Sequence, residues 1–304
     1  AWGFARGGMG AVSGSLASAL QSLGGEIRND AEVAQILVSG NKATGVRLAS
    51  GEEISATTVV SNLDARRTFT KVMDETDVPP YVLERARNFK IRGSSGKLNI
   101  ALDGMPTFPA LPKDSPLTLG HMHFTDTLTR LERAYDDWKD DRWSADPYCD
   151  FLIPSQYDPT LAPPGKHMAT VFVQYCPVEP DGGWTDEKRD QFGQVVIDQI
   201  ADYSPDFKDL LLHAEIRTPR ELENEVGLTQ GNIFQGELTF DQLMFNRPFP
   251  GYAQYRGPVK GMYMCGSSTH PGGGVMGAPG ANAAREILRD LRKPDTTPKE
   301  FSDD

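Results

Sequence analysis

An α/β fold carrying an inserted α+β domain is predicted for this chain, on three observations. Two short apolar stretches, near residues 57–62 and 261–265, read as buried strands ending in polar or glycine-rich sequence. The long segment between them changes character and is rich in proline. A glycine cluster follows the second stretch at once and leads into a helix, the way parallel sheets present a ligand-facing edge.

The elements follow in chain order. Arg6-Gly7-Gly8-Met9-Gly10 reads as a glycine turn, then a helix carries Val12, Leu16, Leu20 and Leu23 on one stripe and ends at Gly24 and Gly25. Extended patterns at Glu26 to Arg28, Val33 to Val38 and Gly45 to Leu48 predict a β-meander. Turn signals punctuate it at Asn29-Asp30, Ser39-Gly40-Asn41 and Ser50-Gly51. Thr57 to Asn62 reads as a buried strand. Residues 65–255 read as the inserted domain, a mixed sheet with helices on one side. Its candidate strands are Lys97 to Leu102 and Met168 to Cys176, and its helix carries Phe192, Val196, Ile200 and Tyr203 as a stripe. The chain then returns to an apolar strand, Gly261 to Cys265, followed by the run from Gly266 to Gly280 and a helix with Ala284, Ile287, Leu288 and Leu291 on one face. The polar tail at 294–304 is expected to be disordered.

Composition narrows the function classes. A chain of 304 residues, 38% hydrophobic and 24% charged, can bury a sizeable core. A net charge of -11 without clustered Lys and Arg argues against nucleic-acid binding. Cys149, Cys176 and Cys265 stand far apart, so no disulfide framework or redox dithiol is indicated, and a reducing, cytoplasmic setting is expected. No apolar run long enough for a membrane span, and no leader, stands within the sequence. The chain opens on Ala1 and is already inside a glycine motif by Gly7, so residues upstream are expected to be missing.

The stretch 261–280 is the most informative. Glycines there allow backbone N–H groups to approach an electron-rich ligand, and the following helix can stabilise negative charge at its first turn. Gly-Met-Tyr-Met-Cys-Gly-Ser-Ser-Thr-His-Pro-Gly-Gly-Gly-Val-Met-Gly-Ala-Pro-Gly resembles the C-terminal flavin-binding motif of the phytoene desaturase-like and amine oxidase-type oxidoreductases. The stretches Arg6 to Gly10, Gly25 to Val33 and Ala56 to Asp64, together with Arg247-Pro248 and the Tyr255 to Val259 approach, agree with it in order and distance. The resemblance implies an incomplete FAD-binding domain, Rossmann-like and of GR2 type, with residues 1–64 as its middle part and 256–293 as its C-terminal motif and helix. It implies hydride transfer to flavin from a small apolar or amine-like substrate, with Val33 against the adenine. Gly266, Ser267, Val275, Met276 and Gly277 would meet the ribityl chain and the flavin. It names no general base.

One departure matters. Such proteins begin with a strand and a GxGxxG turn that hold the pyrophosphate. Gly8-Met9-Gly10 imitates this turn, but no apolar strand precedes it and Gly14 falls one position late for the third glycine. The expectation is a C-terminal fragment of a flavoenzyme, inactive alone, with FAD weakly held or absent. It would cover its open sheet edge by self-association into a dimer or larger, or by joining a missing N-terminal half. The alternative is a non-catalytic binding or interaction module. Membrane association of the intact protein stays open.

Other constellations take plainer readings. His121 and His123 would share a strand face, but no third ligand stands at a telling distance, so no metal is expected. The acidic run Asp136, Asp137, Asp140 and Asp141, interleaved with Lys139 and Arg142, reads as a solvated turn. Cys265 and His270 are read as packing rather than as nucleophile and base, and His270 either lies near the ring system or serves the turn. Trp2, Phe4, Phe245, Phe249, Tyr252 and Tyr255 are core aromatics on the plainer reading and cavity lining on the other.

Overall fold

In the computed structural model, residues 3–112 and 115–292 are described; Trp2 and the 294–304 tail lie outside them. The strands are β1 (Val33–Ser39), β2 (Lys42–Leu48), β3 (Glu53–Ser55), β4 (Val59–Ser61), β5 (Ser95–Leu102), β6 (Met122–His123), β7 (Tyr148–Leu152), β8 (His167–Gln174), β9 (Leu211–Arg217) and β10 (Met262–Met264). The helices are α1 (Gly10–Ser22), α2 (Ala65–Arg67), α3 (Pro80–Arg87), α4 (Leu128–Lys139), α5 (Asp186–Tyr203), α6 (Phe207–Leu210), α7 (Pro219–Val226) and α8 (Ala278–Arg292). The architecture is mixed α/β. Two compact units form: one joins residues up to 27 with 93–231, the other joins 28–92 with 232 onward.

The first unit is built on a sheet of order β6-β7-β8-β5-β9. Every pairing in it is antiparallel, which corrects the expected mixed sheet. Leu98 and Ile100 of β5, Phe151 of β7 and Val171 and Val173 of β8 form one buried cluster with Phe192, Val196 and Ile200 of α5. Those three helix residues recur every fourth position, the spacing that keeps one helix face on the sheet. Tyr203 ends the stripe half in solvent, its hydroxyl donating to the Phe124 carbonyl. The helix lies close: a Cβ at Gly96 would meet the Phe192 ring at 2.7 Å, and one at Gly193 would meet Ile216 Cδ1 at 2.3 Å. α5 starts at Thr185, whose hydroxyl accepts from Lys188 N, with Asp186 and Glu187 in the first turn. α1 forms as the periodicity predicts, yet Val12, Leu16, Leu20 and Leu23 are all exposed.

The second unit opens with the meander β1-β2-β3. Gly40 and Asn41 both take positive φ between the paired Ser39 and Lys42, the two-residue turn whose twist suits a hairpin. The expected strand at Glu26 to Arg28 does not form: the segment stays irregular, Ile27 is 43% exposed, and Arg28 instead makes a paired contact with Glu52. β3 was not anticipated, because three residues with only Ile54 turned partly inward carry too little pattern.

β4 and β10 pair in parallel, Val59 against Met262 and Ser61 against Met264. They are joined to the meander where Ala43 N donates to the Lys260 carbonyl. Ile36, Val59, Phe69, Phe249, Met262 and Met264 close one core over these strands. α8 forms as a helix and turns only a small part of its surface inward. Pro279 and Ala283 are buried, whereas Leu288 and Leu291 are 55% and 64% exposed. The helix is held through charge: Arg256 spans Asp290 at 2.7 Å and Glu286 at 2.8 Å, and the Tyr263 hydroxyl donates to Asp290. These ion pairs fix the helix rotation and turn its apolar stripe outward.

Candidate functional site

The loop from Cys265 to Gly277 carries β10 into α8. Cys265 N donates to the Ser61 carbonyl, extending the parallel pairing by one residue. A Cβ at Gly266 would lie 2.3 Å from the Asn62 carbonyl oxygen and 2.6 Å from Gln235 Oε1, so only glycine lets the loop leave the sheet here. Thr269, fully buried, donates from Oγ1 to the Gly266 carbonyl at 2.8 Å. The Tyr255 hydroxyl donates to the His270 carbonyl at 2.8 Å and accepts from Asn282 Nδ2 on α8 at 2.9 Å. Arg247, with no exposed surface, donates from Nε to the Ser267 carbonyl at 2.9 Å.

Beyond those anchors the loop is open. Val275 and Met276 are 75% and 58% exposed, and Gly277 has a positive φ with open space where a Cβ would stand. Three buried polar atoms around the loop, Ser268 Oγ, His270 Nδ1 and Gln235 Oε1, find no hydrogen-bond partner among the described residues. Such atoms are costly unless something outside the chain satisfies them.

Gly266, Ser267, Val275, Met276 and Gly277 thus share one loop, while Val33 starts β1 opposite Leu48 in the meander. Sequence reasoning took Arg247 as a motif residue and Tyr255 as a motif residue that was either core or cavity lining; the one signal for Arg247 was an arginine set among Phe245, Pro248, Phe249 and Pro250. Burial raises the Cys265 thiol's pKa, which keeps it neutral and unsuited to act as a nucleophile. Burial, with the Asp290 hydrogen bond, pushes Tyr263 up to about 12. Phe249 and Tyr255 are buried, Tyr252 is half-buried, and Phe4 and Phe245 are exposed.

In the five-stranded unit, His121 Nδ1 stands 2.7 Å from Asp150 and His123 Nδ1 stands 2.7 Å from the Tyr148 hydroxyl. Among the described residues no group of three or more His, Cys, Asp or Glu is placed to hold a metal. Asp136, Asp137 and Asp140 pair with Lys139 and Arg142 at the end of α4, as a solvated turn would. An open cavity of ≈ 670 Å³ is lined by Asn99, Ala101, Leu161, His167, Leu212 and Glu215. No helix among the described residues is long and apolar enough to cross a membrane.

One unit with the parallel pair, glycine loop and helix, and another built on an antiparallel sheet, make a mixed α/β protein. A putrescine oxidase variant matches 93% of the chain with a TM-score of 0.55 at 15% identity, and 53% of that protein is covered. An oxidoreductase from Methanosarcina mazei matches 93% with a TM-score of 0.53 at 14% identity, 55% of it covered. No family model matches. By sequence the chain is similar to curated proteins that include phytoene desaturases and prolycopene isomerases. It is 39% identical to the mouse pyridine nucleotide-disulfide oxidoreductase domain-containing protein 2, over 96% of this chain and 52% of that protein. It is 27% identical to a lycopene-forming phytoene desaturase of Pseudescherichia vulneris, over 96% of this chain and 57% of that one. The chain spans about half the length of the curated relatives it matches.

Proposed function

We propose that this chain is the C-terminal part of an FAD-dependent oxidoreductase that transfers hydride from an apolar or amine-like substrate to flavin, and that it is inactive alone. The observation that carries this reading is the loop between β10 and α8. Its buried Ser268 Oγ and His270 Nδ1 lack a partner among the described residues, while Gly277 leaves open space where a side chain would stand. These features fit a planar ligand with a polar edge. When bound, a flavin supplies the hydride acceptor. The chain's own part is to orient and to shield. Gly266, Ser267, Val275, Met276 and Gly277 would line the ribityl chain and ring, α8 would favour negative charge at its first turn, and Val33 would meet the adenine. Burial raises the pKa of both Tyr263 and Cys265 and keeps them neutral, which disfavours either as the base.

The same unit supports the need for a partner. β4 and β10 make a parallel sheet of two strands, whereas parallel strands are ordinarily covered on both faces. Val60 is 43% exposed, as are Leu288 and Leu291 of α8 at 55% and 64%. A missing N-terminal half, or a second copy of the chain, would cover them. The three free cysteines fit a reducing, cytoplasmic setting.

Titration of the purified chain with FAD, followed by flavin fluorescence, tests the reading. Little or no binding alone, with saturable quenching once a GxGxxG-bearing N-terminal half is added, supports it. No binding in either form sinks it and leaves the interaction-module reading.

A further inference from the structure

Arg247 presents an unusual balance of charge and burial. Its side chain has no exposed surface. Nε donates to the Ser267 carbonyl at 2.9 Å, Nη1 to the carbonyls of Glu237 and Gln242 at 3.2 Å each, and Nη2 to those of Phe234 at 2.8 Å and Gly236 at 3.2 Å. A guanidinium has five N–H donors in a rigid fork, and here the partners are five backbone carbonyls. Among the described residues no carboxylate pairs with it, and burial alone lowers its pKa to about 10, which leaves it charged at neutral pH.

A buried cation is costly to desolvate, and its hydrogen bonds offset that cost while fixing the groups they reach. What these bonds hold is specific. Four of the carbonyls belong to the 234–242 segment, and the fifth is that of Ser267 in the glycine loop. That loop passes the guanidinium again at Gly272, where a Cβ would stand 3.5 Å from Nε and where φ is positive. The 234–242 segment in turn supplies Gln235, whose Oε1 lacks a partner among the described residues and whose Nε2 donates to the Asn62 carbonyl at the end of β4.

We propose that Arg247 is a positioning residue for the cofactor: its guanidinium ties the 234–242 segment to the glycine loop and so sets the loop's shape before the flavin arrives. This rests on the FAD reading above. Apolar side chains at position 247 could fill the volume but would leave five inward-facing carbonyls unsatisfied, and lysine, with three donors on a point charge, would satisfy part of them.

The test compares the chain with Arg247→Lys, Arg247→Met and, as a control, Arg289→Gln, by amide hydrogen exchange without FAD and by FAD affinity with the N-terminal half added. In Arg247→Lys, exchange should rise about tenfold in 234–242 and 266–274 while the meander at 33–48 is unchanged, with a larger rise in Arg247→Met and none in the control. The FAD Kd should rise about tenfold in Arg247→Lys. Exchange that rises uniformly, or failure of both Arg247 variants to fold while the control folds, would make Arg247 a general stabiliser and overturn the proposal. So would local loosening with an unchanged Kd. If the parent protein itself binds no FAD, the cofactor role falls with the FAD reading, and the exchange pattern still decides whether Arg247 holds the loop.

Discussion

At the scale of single residues, the clearest effects concern groups whose titration is set by burial or by an ion pair. Arg256 holds the Asp290 carboxyl below its ordinary range, and the Tyr263 hydroxyl donates to that same carboxylate. Because the folded pKa of Asp290 is depressed, its contribution is present above the unfolded value and is lost as pH falls through the folded one. Tyr263 runs the other way: with its pKa raised to about 12, its contribution is complete below about pH 10 and is lost as pH rises towards 12. Arg256→Ala should therefore cost about 1–3 kcal/mol at neutral pH and flatten the acid limb of a urea-stability profile against pH. An unaltered acid limb would show that the network contributes nothing. Burial raises the pKa of Cys149, Cys176 and Cys265 alike, so a thiol reagent at about pH 8 should react slowly with the native chain and quickly only after denaturation. A fast-reacting native Cys149 or Cys176 would contradict the complete burial of those two residues.

At the scale of elements, α5 depends on close contact. Ile200 is fully buried in the sheet cluster, and its replacement by alanine should cost about 2–5 kcal/mol. Gly193→Ala inserts a methyl where Ile216 Cδ1 stands 2.3 Å away and should cost about 1–3 kcal/mol. Chemical denaturation would measure both, and a neutral Gly193→Ala would mean that Ile216 moves aside freely. Periodicity made α5 and its inward face legible, because Phe192, Val196, Ile200 and Tyr203 repeat at helical spacing over three turns. It made α8 legible as a helix but not its rotation. Helical spacing placed Leu288 and Leu291 on one face without saying where it points, while the pairing of Arg256 with Glu286 and Asp290, thirty or more positions away in sequence, turned the other face inward. An interaction at that separation leaves no local pattern.

At the scale of the molecule, the unit that carries the glycine loop leaves Val60 on β4 and the Leu288 and Leu291 stripe of α8 exposed, and self-association through them should follow. Sedimentation of the chain alone should show a dimer or larger, shifted towards monomer by Leu288→Lys with Leu291→Glu. A clean monomer at all concentrations would count against the open stripe as an interface.

By itself the sequence determined the mixed α/β character, the meander, the pairing candidates at 57–62 and 261–265, and the glycine loop, because each rests on local periodicity or on turn chemistry confined to a few residues. Tertiary structure decided which faces those elements bury. It left the α1 stripe in solvent, made the five-stranded sheet wholly antiparallel, and drew five carbonyls around Arg247. Burial and ion pairing depend on which distant residues arrive at the same place, and that is fixed only when the chain has closed its core.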